Sequence, residues 1–512
     1  MLSDLQLKNY KSFKNLDNLN IKPITILCGE NSCGKSSILQ SILLLKQTKE
    51  SRTPNNSILL NGKYVHLGDV HNIIHGHNSE EELAIKYEYT FTREDFLKLN
   101  GGTRTISSRQ ILFHLLPRKS KELKSSTHTV TFYIKIKPSK DDKGYIKTAN
   151  ISEYKIEIST SDLSGKITHG PGLRIVSHEN GITSRLNWIN LPNFNMPSDK
   201  NYKMGSIEKV LVKYENLFPI IHVGSNNSSI NNSGSINQYK TAPFSVLNFL
   251  RLMDDFLVKI NNNISYIGPL REEPSRRYIY ENEVLEIGTK GENAAYIYQT
   301  EQNKSLNHSC FRFNESENVF HNNSDTTLHE EINYWMSFMG ISGFRPDFQS
   351  EIIRLEMEAN SCAGTSVNIA DVGFGVSQIF PILIEGLRMN TSGTLLLEQP
   401  EIHLHPGLQM KMADYFISLA LSGKKLIIET HSDHIVNRLI RRIIENENFE
   451  EMISINFVSN NSSGAFVEEV KIDPHKGIVN WPNGFFDQTA NEQEQIILAG
   501  IKRRKIQRAK EQ

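Results

Sequence analysis

One stretch limits what this chain can fold into more than any other: Gly29-Glu-Asn-Ser-Cys-Gly-Lys-Ser-Ser37. It follows the apolar run 24–27 and precedes a second apolar run, 38–45. The spacing matches a phosphate-binding loop, whose glycines let successive backbone N–H groups turn inward and form an anion nest. The helix after such a loop points its positive end at the same phosphates. The sequence therefore predicts a strand, a phosphate loop and a helix at this point.

Each polar residue of this loop has an expected role toward a nucleotide. Lys35 is expected to reach the β- and γ-phosphates, and the Ser36 hydroxyl is expected to ligate Mg²⁺. The other predicted nucleotide-binding residues of the loop are Asn31, Ser32, Gly34 and Ser37. A chance glycine-rich turn between a strand and a helix is the structural alternative, which a full match in this context disfavours. The pattern indicates a nucleotide without indicating what the nucleotide is used for.

Length and charge narrow the classes of protein to which the chain can belong. Its 512 residues exceed one ordinary core, so we expect a large discontinuous domain or about two to three packed subdomains. The 57 basic and 57 acidic side chains give a formal net charge of zero. The overall charge therefore gives no reason to expect binding to nucleic acid or to a membrane. No apolar run approaches the roughly 18 residues of a bilayer span, and the first residues are typical of a strand, so a cytoplasmic location is expected. The four cysteines suggest neither a disulfide framework nor a metal pair.

Between about residues 61 and 190 the pattern changes to short alternating strands. Leu83–Phe91, Thr127–Ile136 and Tyr154–Ile158 alternate apolar and polar residues between polar turns. This pattern favours an antiparallel β insertion. A helix is predicted from Phe244 to about Ile260, where apolar residues recur at helical spacing.

Three further motifs in the second half are expected to complete the site. The buried strand 394–397 ends in Glu398, which supplies the carboxylate that a phosphate loop needs on the Mg²⁺ side. The strand 425–429 is followed by His431, where an imidazole could contact a γ-phosphate or hold the attacking water. The turn from Gly373 to Gln378 opens an apolar helix, and its N–H groups are expected to bind phosphate. Arg271 is left between two interpretations, a phosphate contact and a structural arginine.

In this order, the phosphate loop, the glycine-serine turn, the acid strand and the switch histidine resemble the ABC-type ATPases of the SMC, RecF and overcoming-lysogenization-defect group. More narrowly, the segments 398–406, 266–271 and 481–488 resemble stand-alone bacterial AAA-type ATPases that carry a DUF3696 segment. The resemblance covers about residues 1–75, 264–295 and 366–490. It implies an α/β fold of the ABC-type phosphate-loop class, with a mixed sheet, an inserted antiparallel β subdomain and a helical subdomain. The implied cofactors are ATP and Mg²⁺.

The resemblance and the patterns divide the chain into five predicted segments. These are a first ATPase lobe with the phosphate loop (1–80), a β-rich and helical insertion (81–262), a continuation with a helical subdomain (263–365), a second ATPase lobe (366–470), and a DUF3696-like segment with a basic tail (471–512). For the tail, a solvated helix end is favoured over contact with a phosphate backbone.

In the broader group, two subunits sandwich two ATP molecules, and each phosphate loop faces the partner's signature turn. Carried over, this arrangement implies a homodimer or higher homo-oligomer. Gly373, Gly375 and Ser377 are then expected to touch ATP bound by the other protomer. The usual Ser-Gly-Gly order of that turn is absent here.

The important departure from the group is Gln399. In the ABC pattern, the residue after the metal-side acid is a glutamate that polarises water, whereas this chain has an amide. An amide can orient water, as glutamine does in some slow GTPases, and Glu401 is the other residue that could reach the water. The predicted catalytic set is Glu398, Gln399, Glu401 and His431, with Ser36 and Glu398 as metal ligands. We expect slow, switch-like hydrolysis.

Several functional classes compete for these motifs. The favoured one is an ATP-driven switch or sensor of bacterial anti-phage defence, acting on a separately encoded nuclease or toxin. A self-contained nuclease of the overcoming-lysogenization-defect kind is disfavoured, because only about sixty residues follow the last ATPase helix. A RecF- or SMC-like DNA-repair factor is the main alternative, so nucleic acid stays a candidate partner. A transporter ATPase and a hexameric AAA+ machine are weaker alternatives.

Two pairs of histidines invite a different interpretation. His403 with His405, and His431 with His434, have the short spacing of metal ligands. The ATPase pattern already explains each of these positions, so a histidine metal site is a minority hypothesis.

Overall fold

The computed structural model of the protein describes residues 1–52, 57–78, 80–92, 94–95, 126–140, 146–162, 164–178, 181–191, 203–224, 239–241, 243–279, 286–349, 352–358, 364–371, 375–482, 484–486 and 492–501. Gly373 of the predicted signature turn and the basic tail after Ile501 lie outside these residues.

A mixed six-stranded sheet carries the phosphate loop. Its spatial order is β12 (Ile264–Ile267), β19 (Thr394–Glu398), β20 (Lys425–Glu429), β3 (Ile24–Gly29), β21 (Ile453–Asn461) and β22 (Gly464–Glu469). Neighbouring strands from β12 to β21 run parallel, and β22 is antiparallel to β21. Because parallel strands end at the same edge, β3, β19 and β20 deliver their carboxyl ends side by side.

Both faces of this sheet are buried, which explains its continuous apolar strands. On β3, Leu27 packs into one hydrophobic cluster, whereas Ile24, Ile26 and Cys28 pack into the other. This alternation follows from the two-residue period of a strand.

The second large sheet is antiparallel and has ten described strands. Its spatial order is β11 (Tyr239–Thr241), β10 (Phe218–Gly224), β9 (Lys203–Glu215), β8 (Ser184–Leu191), β7 (Ile167–Ser177), β6 (Ile146–Ser161), β5 (Thr127–Lys140), β4 (Leu83–Phe91), β1 (Leu2–Tyr10) and β2 (Phe13–Asn20). The N-terminal hairpin β1–β2 thus continues the sheet of the predicted β insertion, since β1 pairs with β4.

The helices lie around these sheets. They are α1 (Lys35–Glu50), α2 (Val70–Ile73), α3 (Phe244–Asn262), α4 (Ala294–Glu301), α5 (Leu328–Phe338), α6 (Gly375–Arg388), α7 (Pro406–Leu421) and α8 (Asp433–Glu445), with short 3₁₀ turns at His75–His77, Ile369–Asp371 and Glu447–Phe449. Helix α1 shares one hydrophobic cluster with α3 and residues of both large sheets, and the Tyr87 hydroxyl donates to the Ser41 carbonyl at 2.6 Å. The helix is therefore held at the junction of the two sheets.

Smaller elements complete the second half of the chain. They are the sheet β13 (Tyr278–Ile279), β17 (Ile352–Glu358) and β16 (Arg345–Gln349) with β18 (Ser366–Asn368) beside β17, and the hairpins β14–β15 (Cys310–Asn314 and Val319–Asn323) and β23–β24 (Ile472–Asp473 and Gly477–Ile478). The predicted α/β phosphate-loop fold, with a mixed sheet and an antiparallel β subdomain, is confirmed. Among the described helices, none has the length and apolar character that crossing a bilayer requires.

A buried ion cluster joins α7 to α8, the helix that follows the switch histidine. The fully buried Asp414 accepts from Arg438 at 2.7 Å and from Arg442 at 2.7 Å. Arg442 is itself buried and also pairs with Glu445. The cluster thus fixes α8 against α7 from the middle and the last turns of α8.

Replacing Asp414 with Ala should destabilise the fold by about 3–5 kcal/mol, because two guanidinium groups lose their buried partner. Urea unfolding at constant pH measures the loss. As a control, Glu317→Ala removes the partner of His321 from an exposed pair and should cost only a small fraction of that amount. Equal losses for both variants would contradict the buried-cluster interpretation.

Candidate functional site

The phosphate loop adopts a backbone that its glycines make accessible. Gly29 and Gly34 have φ angles of 138° and 107°, and Ser32 has a φ of 60°. A Cβ on Gly29 would lie 2.0 Å from the Val458 carbonyl oxygen on the neighbouring strand β21. Glycine at position 29 is therefore required both by its φ and by the close approach of β21.

The start of α1 combines the positive end of a helix dipole with the Lys35 ammonium group. No residue of its first turn is acidic, although the Glu429 carboxylate at the end of β20 accepts from the Ser36 hydroxyl of that turn at 2.9 Å. Lys35 is 3% exposed, and its Nζ donates to the carbonyls of Glu30 at 2.6 Å and Gly29 at 3.1 Å. Asn31 and Ser32 lie exposed at the rim of the loop. The loop thus combines a buried ammonium group with an exposed rim of polar residues.

Two carboxylates meet beside the loop, although the motifs named only one. Glu398 ends β19 and lies opposite Glu429, which ends β20. The Ser36 hydroxyl donates to Glu429 Oε1 at 2.9 Å, and the Tyr266 hydroxyl donates to Glu398 Oε1 at 3.0 Å. Sequence reasoning assigned no role to Glu429 or Tyr266. The signal that could have identified Glu429 was its place at the carboxyl end of a buried strand.

The two carboxylates lie in an environment that disfavours unpaired negative charge. Burial, and then the charge of Glu429, raises the pKa of Glu398 to about 7. Burial also raises the pKa of Glu429, against the opposing effects of the Ser36 hydroxyl and Lys35. A cation held between them would relieve this cost, because it replaces the lost solvation.

Gln399 is held in a strained conformation by contacts on both sides. Its φ is 45°, in the left-handed region that costs a side-chain-bearing residue about 1–2 kcal/mol. Its N–H donates to the Glu429 carbonyl at 2.7 Å, and its carbonyl accepts from Arg271 at 3.0 Å. Arg271 is 6% exposed and also donates to the Glu398 carbonyl at 3.0 Å. Arg271 thus holds the backbone of the turn at Gln399 through one guanidinium nitrogen. Its Nε and Nη1 have no hydrogen-bond partner among the described residues, and a phosphate contact stays a prediction.

The Glu401 carboxylate is occupied by the segment that carries the switch histidine. Glu401 Oε1 accepts the His431 N–H at 2.7 Å, and Oε2 accepts the Thr430 hydroxyl at 2.8 Å. In this structure Glu401 thus positions His431 instead of facing a free site. Burial, and then the charge of Lys35, lowers the pKa of His431.

The signature-like turn is described only from Gly375 onward. Gly375 begins α6, and Ser377 is buried in the first turn of that helix. A Cβ on Gly375 would lie 3.4 Å from the His403 carbonyl oxygen, so the turn packs against the segment that follows Gln399. Contact of Gly373, Gly375 and Ser377 with a nucleotide on another subunit stays a prediction.

The histidine pairs have local roles. His405 caps α7 by accepting the Gly407 N–H at 3.2 Å on Nδ1, and His403 is exposed with a φ of 62°. Within the described ranges, no group of three or more His, Cys, Asp or Glu side chains is placed to hold a metal ion. A Mg²⁺ bound together with a nucleotide has a smaller requirement, one or two carboxylates plus the phosphates.

Comparison with protein families covers most of the chain. Residues 1–436 match the family AAA_15, described as AAA ATPase domain, and residues 450–496 match DUF3696, described as a protein of unknown function. 

Similar curated proteins match only short segments. The DNA replication and repair protein RecF of Staphylococcus haemolyticus is 38% identical over 78 residues, which are 15% of this chain and 21% of that protein. RecF of Bacillus cytotoxicus is 32% identical over 59 residues, 12% of this chain and 16% of that protein. The chain thus spans about a fifth or less of the length of these curated relatives.

Similar solved structures include two SMC heads. The SMC head domain from Thermotoga maritima has a TM-score of 0.35 and 10% identity, over 92% of this chain and 99% of that chain. An SmcHead bound to the C-winged helix domain of ScpA has a TM-score of 0.36 and 10% identity, over 93% and 98% of the two chains. Both scores are too low for a conclusion about this chain.

Substitutions at Gln399 should separate the strain of the backbone from the role of the amide. Gln399→Gly and Gln399→Ala both remove the amide, but only Ala keeps the cost of a left-handed φ. The Gly variant should therefore be about 1 kcal/mol more stable than the Ala variant in urea unfolding. At Gln299, inside α4, the order should reverse, because Gly costs a helix about 1 kcal/mol relative to Ala. If the Ala variant is the more stable one at position 399 as well, Gln399 is unstrained.

Proposed function

This chain belongs to the AAA ATPase domain family AAA_15 and carries a DUF3696 segment, and from this premise we propose that it binds and slowly hydrolyses ATP as a molecular switch. In this proposal, two copies sandwich two ATP molecules, and the ATP-bound dimer controls a separately encoded nuclease or toxin in bacterial anti-phage defence.

The observation that supports slow turnover is the amide residue Gln399, whose backbone is held in place beside Glu398. The residue beside the metal-side acid Glu398 is held by Arg271 and by the Glu429 carbonyl in one strained conformation. Strain held by surrounding contacts is typical of functional positions. An amide in that place can orient a water molecule but cannot take its proton as a carboxylate does, which removes much of the rate that a general base supplies.

The other site residues have roles consistent with this proposal. Lys35 would exchange its loop carbonyls for the β- and γ-phosphates, and the N–H groups at the start of α1 would bind them as well. Ser36 and Glu398 present the hydroxyl and carboxylate oxygens that suit Mg²⁺, and the unpaired negative charge at this edge of the sheet fits a cation. When bound, Mg²⁺ would neutralise charge on the phosphates. Glu401 accepts the His431 N–H, and the imidazole of His431 would contact the γ-phosphate.

The dimer and the effector are the further parts of the proposal. Gly373, Gly375 and Ser377 would complete the ATP site of the partner subunit, as the resemblance to the ABC-type group implies. The defence role and the separate effector likewise derive from the resemblance to stand-alone ATPases with a DUF3696 segment.

A DNA-repair role is the second candidate, and the segment similar to RecF favours it. In that case the purified chain should bind duplex DNA with an affinity that falls steeply as salt rises. Absence of such binding, together with an effector that co-purifies, would favour the defence switch.

The first test is ATP-dependent dimerisation of the full chain. With Mg²⁺ and a non-hydrolysable ATP analogue, mass measurement in solution should show a dimer, and without nucleotide a smaller species. Lys35→Ala should not dimerise, because it removes the charge that binds the phosphates. Exposed Lys213→Ala is the matched control and should dimerise as the wild type does. A hexamer, or a mass indifferent to nucleotide, would contradict the proposal.

The second test restores the missing carboxylate. Gln399→Glu should raise kcat for ATP hydrolysis by about 10-fold or more, because a general base in this position adds roughly 10²–10⁴ in favourable cases. Gln399→Ala should lower kcat below the wild type. Rapid hydrolysis by the wild type without any partner, or an unchanged rate in Gln399→Glu, would show that Gln399 does not limit turnover.

A further inference from the structure

Glu429 is a buried carboxylate to which the nucleotide site as proposed gives no task. It is 4% exposed and ends β20, the strand between the phosphate-loop strand β3 and the acid strand β19. Its Oε1 accepts the Ser36 hydroxyl at 2.9 Å. Its Oε2 is buried and has no hydrogen-bond partner among the described residues. A carboxylate oxygen in this condition costs free energy unless a ligand pairs with it.

The surroundings of Glu429 indicate the kind of ligand. Glu398 lies opposite it in the sheet register, so a buried carboxylate and a half-buried one share one edge. The ammonium group of Lys35 already donates to the carbonyls of Gly29 and Glu30. The sheet edge thus offers carboxylate and hydroxyl oxygens with excess negative charge, which is the donor set of a hard divalent cation.

The contact with Ser36 indicates where that cation would lie. Ser36 is the residue expected to ligate Mg²⁺, and Glu429 is the carboxylate that its hydroxyl contacts, whereas Glu398 is hydrogen-bonded to Tyr266. The register of β20 between β3 and β19 brings Glu429 to the loop, so its position follows from the fold and not from a side-chain rotamer alone.

We infer that Glu429 is a second carboxylate of the Mg²⁺ site, acting with Ser36 and Glu398. This inference rests on the proposed binding of ATP with Mg²⁺. The two carboxylates of the proposed Mg²⁺ site thus lie at the ends of two neighbouring strands, β19 and β20. Glu429 would contribute a carboxylate oxygen beside the Ser36 hydroxyl, and Glu398 would contribute one from the neighbouring strand.

The test measures ATP affinity of the full chain by calorimetry, first in EDTA and then in excess Mg²⁺. Wild type should gain affinity when Mg²⁺ is added. Glu429→Gln keeps an oxygen that can accept from Ser36 but removes the charge. When both proteins are measured in EDTA, its affinity for ATP should equal that of wild type. In excess Mg²⁺, the affinity of this variant for ATP should be about 10- to 100-fold lower than that of wild type. Glu82→Gln, a partly exposed carboxylate paired with Lys135, should keep the full gain.

A second variant guards against a loss that is only structural. Glu429→Asp retains the charge and should keep more of the gain from Mg²⁺ than Glu429→Gln does. Equal loss in both variants, or an equal drop with and without Mg²⁺, would show that Glu429 only positions Ser36 and would overturn the inference. A full gain in Glu429→Gln would also overturn it.

The outcomes separate this inference from the proposed function. If wild type binds no ATP in either condition, the proposed ATPase fails and the inference fails with it. If wild type binds ATP with a gain from Mg²⁺ and Glu429→Gln behaves identically, the ATPase stands and only the role of Glu429 is lost.

Discussion

The parallel pairing of β20 between β3 and β19 is the constraint on which the rest of the site depends. The Thr430 N–H donates to the Leu27 carbonyl at 3.0 Å, and the Gln399 N–H donates to the Glu429 carbonyl at 2.7 Å. These two bonds extend the sheet past the ends of its strands and bring the phosphate loop, the metal-side acid and the switch segment to one edge. A slip in the register of β20 would move Glu429 and the His431 segment away from Ser36 and Glu398, so this pairing decides which side chains meet at the edge.

Around that edge, two charged side chains hold the predicted catalytic residues by hydrogen bonds to their backbones. Arg271 reaches the carbonyls of Glu398 and Gln399, and Glu401 reaches the N–H of His431. Arg271 is buried and Glu401 is half-buried, so their hydrogen bonds form largely away from solvent, where such bonds are strong and costly to lose. The arrangement fixes the turn at Gln399 and the loop at His431 relative to each other.

Positive charge lies at the phosphate loop and negative charge at the ends of β19 and β20, and a bound nucleotide with its metal would balance both. The start of α1 and Lys35 offer positive charge to phosphates, while Glu398 and Glu429 offer negative charge to a cation a short distance away. Burial raises the pKa of both carboxylates, so the site without ligands carries an electrostatic cost. Binding a metal-bound nucleotide would relieve both imbalances at once.

The sequence alone determined the phosphate loop, the α/β class, the strands that carry Glu398 and His431, and the family, because glycine spacing and apolar runs are local properties. It also identified Gln399 as a departure from the ABC pattern. Only the tertiary structure decided that Glu429 contacts Ser36, that Arg271 clamps the turn and that Glu401 is occupied by the switch segment, since these contacts join residues up to 393 positions apart. Strand order and register determine such contacts, and neither can be derived from a single sequence. The sequence did not predict that the N-terminal hairpin continues the ten-stranded sheet, for the same reason. The pairing of β1 with β4 joins strands that are distant in sequence, and local alternation does not indicate it.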